Sequence, residues 1–247
     1  SINAARELVT LNHEVVIWRA FIGDVLFKQG NIHEAIAEYK EVGNLGLIRL
    51  ANSYRYLKEY QSAIEYYTKA VESEGNSMEN VWYIYQRATP LWMTGNVEKA
   101  LEDYQKVHTL LGTPFYSDVR YIIILYELGR IDVAQKHLKQ ALLEVENPSW
   151  LRQIFLCVAG EISTDNLVED GLARNNMEII CEAYYYAAEV CLLNDKIEEA
   201  RKWFEKCVET NVVFDPDTAL CTPMNEYELA GWRIDQLTDI IHDEDDQ

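Results

Sequence analysis

Long apolar runs are missing from this 247-residue chain. No stretch approaches the ~18 consecutive apolar residues that a membrane-crossing helix needs. The N-terminal Ser1-Ile2-Asn3-Ala4-Ala5-Arg6 lacks the basic head and apolar stretch of a secretion signal. The absence of an initial Met leaves room for a trimmed export segment or an upstream domain. Positive charge is also scarce: Lys and Arg total 22 against 41 Asp and Glu, a formal net charge of −19. Such a field repels phosphate backbones and anionic headgroups, which argues against generic nucleic-acid binding and against membrane insertion. Cysteine is sparse and unpaired in pattern. Cys157, Cys181, Cys191, Cys207 and Cys221 are odd in number and show no C-x-x-C spacing. A zinc site and a disulfide framework are both disfavoured, and small apolar core residues in a reducing, cytoplasmic compartment are expected.

Catalytic strings are equally absent. No His-Glu-x-x-His, Gly-x-Ser-x-Gly, P-loop or Gly-x-Gly-x-x-Gly sequence occurs, and neither His13-Glu14 nor His33-Glu34 has a second His one helical turn later. The histidines at 13, 33, 108, 137 and 242 are scattered and read as solvent or capping residues. Carboxylate pairs such as Glu198-Glu199 and Asp215 with Asp217 are what solvated faces of a strongly acidic chain contain. The expectation is a protein that is not an enzyme and that carries no cofactor and no metal.

What the chain does have is a repeat. A turn residue is followed by an aromatic or aliphatic residue, then Ala, a large residue and a small one at fixed offsets. The instances are Gly30-Asn31-Ile32 with Ala35, Tyr39 and Val42; Lys58-Glu59-Tyr60 with Ala63, Tyr67 and Ala70; and Gly95-Asn96-Val97 with Ala100, Tyr104 and Val107. Gly129-Arg130-Ile131 with Ala134, Leu138 and Ala141, and Asp195-Lys196-Ile197 with Ala200, Phe204 and Cys207, complete the set. Successive alanines are 28, 37, 34 and 66 residues apart. The last interval is close to two units, so one degenerate unit belongs between Ala134 and Ala200. Small residues where helices cross admit close backbone approach, and the large residue one turn on fills the adjacent hole.

This pattern resembles the tetratricopeptide repeat, a helix–turn–helix unit of ~34 residues. The resemblance implies an all-α, right-handed superhelix (an α-solenoid) of five to six repeats within a single domain, residues 1–247. Clear repeats fall at about 15–145 and 177–210 and a degenerate one at about 148–175. A capping helix follows at about 224–238, and an acidic tail at 239–247. From Ala183-Tyr184-Tyr185-Tyr186-Ala187 to Tyr227-Glu228 the chain is also similar to the C-terminal part of bacterial cell-envelope tetratricopeptide adaptor lipoproteins. Gly30, Gly95 and Gly129 are expected in turns at positive φ, and Asn31 with Glu34 reads as a capping box. Three departures carry expectations of their own. The 28-residue spacing predicts a short first helix in the second unit or a locally irregular superhelix. Pro90 predicts a kink or a late helix start. Residues 148–175 lack the Gly and Tyr landmarks.

In this family the first helices line the concave face, where a partner is held. Projecting the helical period from the core slots places Arg49, Asn52, Arg55, Tyr56, Tyr85, Gln86, Trp92, Arg120, Tyr126, Glu127, Tyr185, Tyr186 and Glu189 there. Aromatics and Arg are frequent interface anchors, although the same side chains also serve as ordinary fillers of a tight inner radius. Ala20 and Asp24 stand where some members grip a chaperone's C-terminal carboxylate with Lys and Asn, so an acidic tail of that kind is not the expected ligand. A non-enzymatic scaffold or adaptor for a protein or peptide with a basic or amphipathic segment is the leading expectation. The alternatives are a self-assembling homo-oligomeric array and, from another class, a helical-repeat enzyme or the regulatory region of one.

Overall fold

A computed structural model describes residues 15–74, 78–213 and 225–245. His13, the loop with Asp215, Asp217, Thr222 and Pro223, and Cys221 lie outside these. The described elements are helices: α1 (Val16–Lys28), α2 (Ile32–Lys40), α3 (Asn44–Tyr56), α4 (Tyr60–Glu74), α5 (Met78–Met93), α6 (Val97–Leu111), α7 (Tyr116–Glu127), α8 (Ile131–Glu144), α9 (Trp150–Val158), α10 (Thr164–Ala173), α11 (Met177–Leu192), α12 (Ile197–Glu209) and α13 (Asn225–Asp245). They divide into two compact units, one comprising the described residues up to Asp103 and the other the described residues from Tyr104 onward.

The reversal inside each helix pair is built the same way six times. The residue after the helix is left-handed, with φ between +57° and +81° at Gly30, Lys58, Gly95, Gly129, Gly160 and Asp195. The next amide then reaches back to the carbonyl five residues earlier: Asn31 to Leu26, Glu59 to Tyr54, Asn96 to Leu91, Arg130 to Leu125, Glu161 to Leu156 and Lys196 to Cys191, all at 2.8–3.0 Å. This is the Schellman closure, which satisfies carbonyls the ended helix would otherwise orphan. Because the Asn31 amide is already spent on Leu26, the expected capping box has no donor to offer Glu34, and Asn31 makes no side-chain cap bond.

The repeat slots are the core. Ala35, Ala63, Ala100, Ala134 and Ala200 are fully buried, and so, nearly, are Tyr39, Tyr67, Tyr104, Leu138 and Phe204. At Gly23 the approach is so close that a Cβ would sit 2.3 Å from the Tyr39 ring. In the first unit α1 to α5 pack in sequence and the first helices α1 and α3 also touch; in the second, α7 to α13 pack in sequence and α7 also touches α9, α9 touches α11 and α11 touches α13. Cys157, Cys181, Cys191 and Cys207 are free, buried thiols. Burial pushes the Cys157 thiol up to about 12, so it behaves as an apolar core residue.

Four expectations change. The short helix is α2, with nine residues, whereas α3 keeps thirteen. Helix α5 starts at Met78 and runs through Pro90 to Met93, so Pro90 marks no late start; it sits in the last turn, where its missing N–H leaves out one bond to the preceding turn. The degenerate repeat does have its glycine, Gly160, but α10 begins only at Thr164, so the landmark is out of phase with the others. Its small and large slots are also exchanged: Leu167 is buried where Ala is usual, and Gly171 lies against Ala183, whose Cβ would be 2.6 Å from an added methyl. Finally, α13 is helical to Asp245, past the expected end at 238.

Candidate partner-binding surface

In the first unit most predicted contact residues are committed to the fold. The Arg49 guanidinium grips Asp24 with two bonds of 2.8 and 3.1 Å, and Asp24 also accepts from the Tyr39 hydroxyl at 2.9 Å. Asn52 is buried and accepts from Tyr67 at 2.7 Å. Arg55 is buried and donates to Gln86. Tyr85, Gln86 and Trp92 are buried on α5. Only Tyr56 stands out, 40% exposed, with its ring edge-on to Phe27 at 5.4 Å. Sequence reasoning did not select the other exposed group. Ile17, Trp18 and Phe21 of α1 are 71%, 46% and 53% exposed, while Ala20, Ile22, Gly23, Leu26 and Phe27 of the same helix are buried. A helix with large apolar residues on its exposed as well as its buried side is unusual at a surface. The signal was legible as Val16-Ile17-Trp18 followed by Phe21.

In the second unit the predicted face is covered by the chain's own last helix. Arg120 of α7, fully buried, pairs with Glu226 of α13, and Tyr186 of α11 donates to the same Glu226 oxygen at 3.0 Å. Arg233 of α13 reaches Glu189 with two bonds of 2.9 Å and also pairs with Glu127. Burial alone disfavours the Arg233 cation, but Glu189 and Glu127 together outweigh it and hold the guanidinium above its ordinary range. Tyr185 is fully buried, edge-on to Tyr186 at 5.0 Å, and Tyr126 is half-buried. Beside this cluster, Glu182 accepts from Tyr116 at 2.9 Å and from the Trp150 indole at 2.6 Å. Burial pushes its carboxyl up to about 8, with Glu226 adding to the rise and the two bonds opposing it. Projection of a helical period places residues relative to their own repeat. It cannot foresee an acid and an arginine arriving from about a hundred positions downstream.

Of the carboxylate pair Glu198-Glu199, Glu199 pairs with Lys196 at 3.3 Å. Glu199 lines an open groove with Lys202, Trp203, Glu205, Lys206 and Glu209, all on α12, and a single helix face supplies no opposed acid and base.

A family model described as tetratricopeptide repeat matches residues 44–77, and a second with the same description matches 182–211. This is a tetratricopeptide-repeat protein. Among solved structures, a tetratricopeptide repeat protein from Parabacteroides merdae aligns over 96% of this chain and 90% of its own, with a TM-score of 0.58 and 15% identity. BtubC from P. vanneervenii aligns over 88% and 91%, at 0.53 and 14%. YrrB, described as a TPR protein with an unusual peptide-binding site, aligns over 90% and 97%, at 0.52 and 17%. At these identities the likeness is one of fold. No curated protein matches the sequence. Tetratricopeptide repeats generally serve as scaffolds for protein–protein interaction, and the repeats in this chain support that general role. No described helix is long and apolar enough to cross a membrane.

Proposed function

We propose that this tetratricopeptide-repeat protein is a non-enzymatic adaptor that holds an amphipathic, basic protein segment on the first helices of its N-terminal unit. The observation that carries this reading is α1, whose outer side presents Ile17, Trp18 and Phe21 to solvent while its inner side fills the core. Large exposed aromatics are the side chains that yield most on burial in an interface. Tyr56 on α3 adds a fourth apolar anchor. The net charge of −19 favours a partner whose polar side is basic and speeds its encounter. The fold-level likeness to YrrB carries none of that protein's binding residues across.

Fluorescence titration with a panel of labelled amphipathic peptides, basic and acidic, tests the proposal. The basic members should bind more weakly as salt rises, and Trp18→Ala with Phe21→Ala and Tyr56→Ala should lower affinity at least ~10-fold with an unchanged helical spectrum. Equal binding by the triple variant would remove α1 as the docking face. Concentration-dependent dimerisation lost in the same variant would make a second copy of the chain the occupant.

A further inference from the structure

Three side chains in the second unit converge without any role in the partner surface. His108 of α6, Asp118 of α7 and His137 of α8 bring one ligand atom each to within 4.8 Å of one another. The same Asp118 oxygen, Oδ1, lies 2.8 Å from His108 Nδ1 and 2.7 Å from His137 Nε2. We propose that these three residues form a binding site for one divalent metal ion of the zinc class.

The donor set decides the class of ion. Two imidazole nitrogens with one carboxylate select zinc and its late first-row neighbours over magnesium or calcium, which prefer all-oxygen cages. Three protein ligands leave a fourth position for water, the arrangement of an open zinc site. Tetrahedral zinc, with bonds of ~2.0–2.2 Å, sets its donors roughly 3.3 Å apart. The N···O separations must therefore widen by about half an ångström while the two nitrogens draw together. Both rings have room for this: the His108 and His137 side chains are 28% and 21% exposed, which also gives the ion a path in.

The surroundings are those of a ligand set. Asp118 is held from behind, where its other oxygen, Oδ2, accepts from the Phe115 amide at 2.8 Å, with the Ser117 hydroxyl at 3.5 Å. Oδ1 is thereby aimed at the two rings, as second ligation spheres commonly arrange. The Tyr121 ring lies 4.9 Å from that of His137 and limits its rotation. The Asp118 side chain is fully buried, and among the described residues no Lys or Arg pairs with it. His108 Nδ1 is buried and, despite its 2.8 Å approach to Oδ1, makes no aligned hydrogen bond. His137 Nε2 is hydrogen-bonded to the same Oδ1, so one oxygen stands between two ring nitrogens and only one of them is bonded to it at the point where the three ligand atoms meet. A cation placed there satisfies all three.

Isothermal titration of ZnCl2 into the tag-free full chain tests the site, with MgCl2 as comparator because an acidic surface attracts any cation loosely. Zinc should bind saturably at one equivalent, magnesium should not compete, and His137→Ala or His108→Ala should weaken binding by more than ~100-fold. No saturable heat, or heat that survives both substitutions, would overturn the proposal. In case a variant fails to fold, histidine NMR of the unmodified protein gives an independent reading. One equivalent of zinc should shift the His108 and His137 ring signals and leave His33 in place. Shifts spread evenly over all the histidines, or none, would also overturn it.

Discussion

The two units use the same helix pair and the same Schellman closure, yet they treat their first helices in opposite ways. In the first unit, polar residues on these helices pair within the unit, as Arg49 with Asp24 and Asn52 with Tyr67 of α4, and α1 keeps apolar side chains in solvent. In the second, α13 lies over α11 and supplies Glu226 to Arg120 and Arg233 to Glu189. The repeat fixes the scaffold in both. What lies on the scaffold's inner helices depends on whether another segment of the chain is there to cover them.

The largest test of this contrast is Arg120→Ala. It leaves Glu226 buried without its cation, which should cost about 3–5 kcal/mol. The loss should appear in chemical denaturation, with hydrogen exchange rising in α7, α11 and α13. In the first unit, Tyr67→Phe removes one neutral bond to Asn52 and should cost only ~1 kcal/mol. Comparable losses would mean that the α13 contacts are no more than rim pairs.

The smaller effect is on pH dependence. With its folded pKa raised to about 8, Glu182 takes up a proton more readily in the native state than in the unfolded chain. Its contribution is complete below the ordinary carboxylate range and is lost as pH rises through about 8. Glu182→Gln keeps an oxygen to accept from Tyr116 and Trp150 and cannot ionise. Its melting temperature should fall less than that of the unmodified protein between about pH 6 and pH 9. Parallel curves would show that Glu182 ionises in the native state as it does in the unfolded one.

Much of the scaffold was written in local sequence. Ala35, Ala63, Ala100, Ala134 and Ala200, with the large residue four positions on, announced the helix pairs because small-into-large packing is a property of adjacent helices. Gly30, Gly95 and Gly129 announced the turns because positive φ selects Gly; Lys58 and Asp195 adopt the same geometry without that label. Gly160 was missed because the two-residue delay before α10 throws its repeat out of phase. The candidate surfaces were less legible. The positions of Arg120, Tyr186 and Glu189 on their own helices followed from helical period, but their cover came from Glu226 and Arg233, far along the chain. His108, Asp118 and His137 sit on three successive helices at spacings of no recognised motif, so only folding brings them together.

Hydrogen exchange measured with and without a bound basic amphipathic peptide tests the central claim most directly. Slowed exchange in α1 and α3, with α7, α11 and α13 unchanged, is the predicted result. Slowed exchange in α7 and α11 together with faster exchange in α13 would contradict it, because the partner would then be displacing the last helix from the second unit.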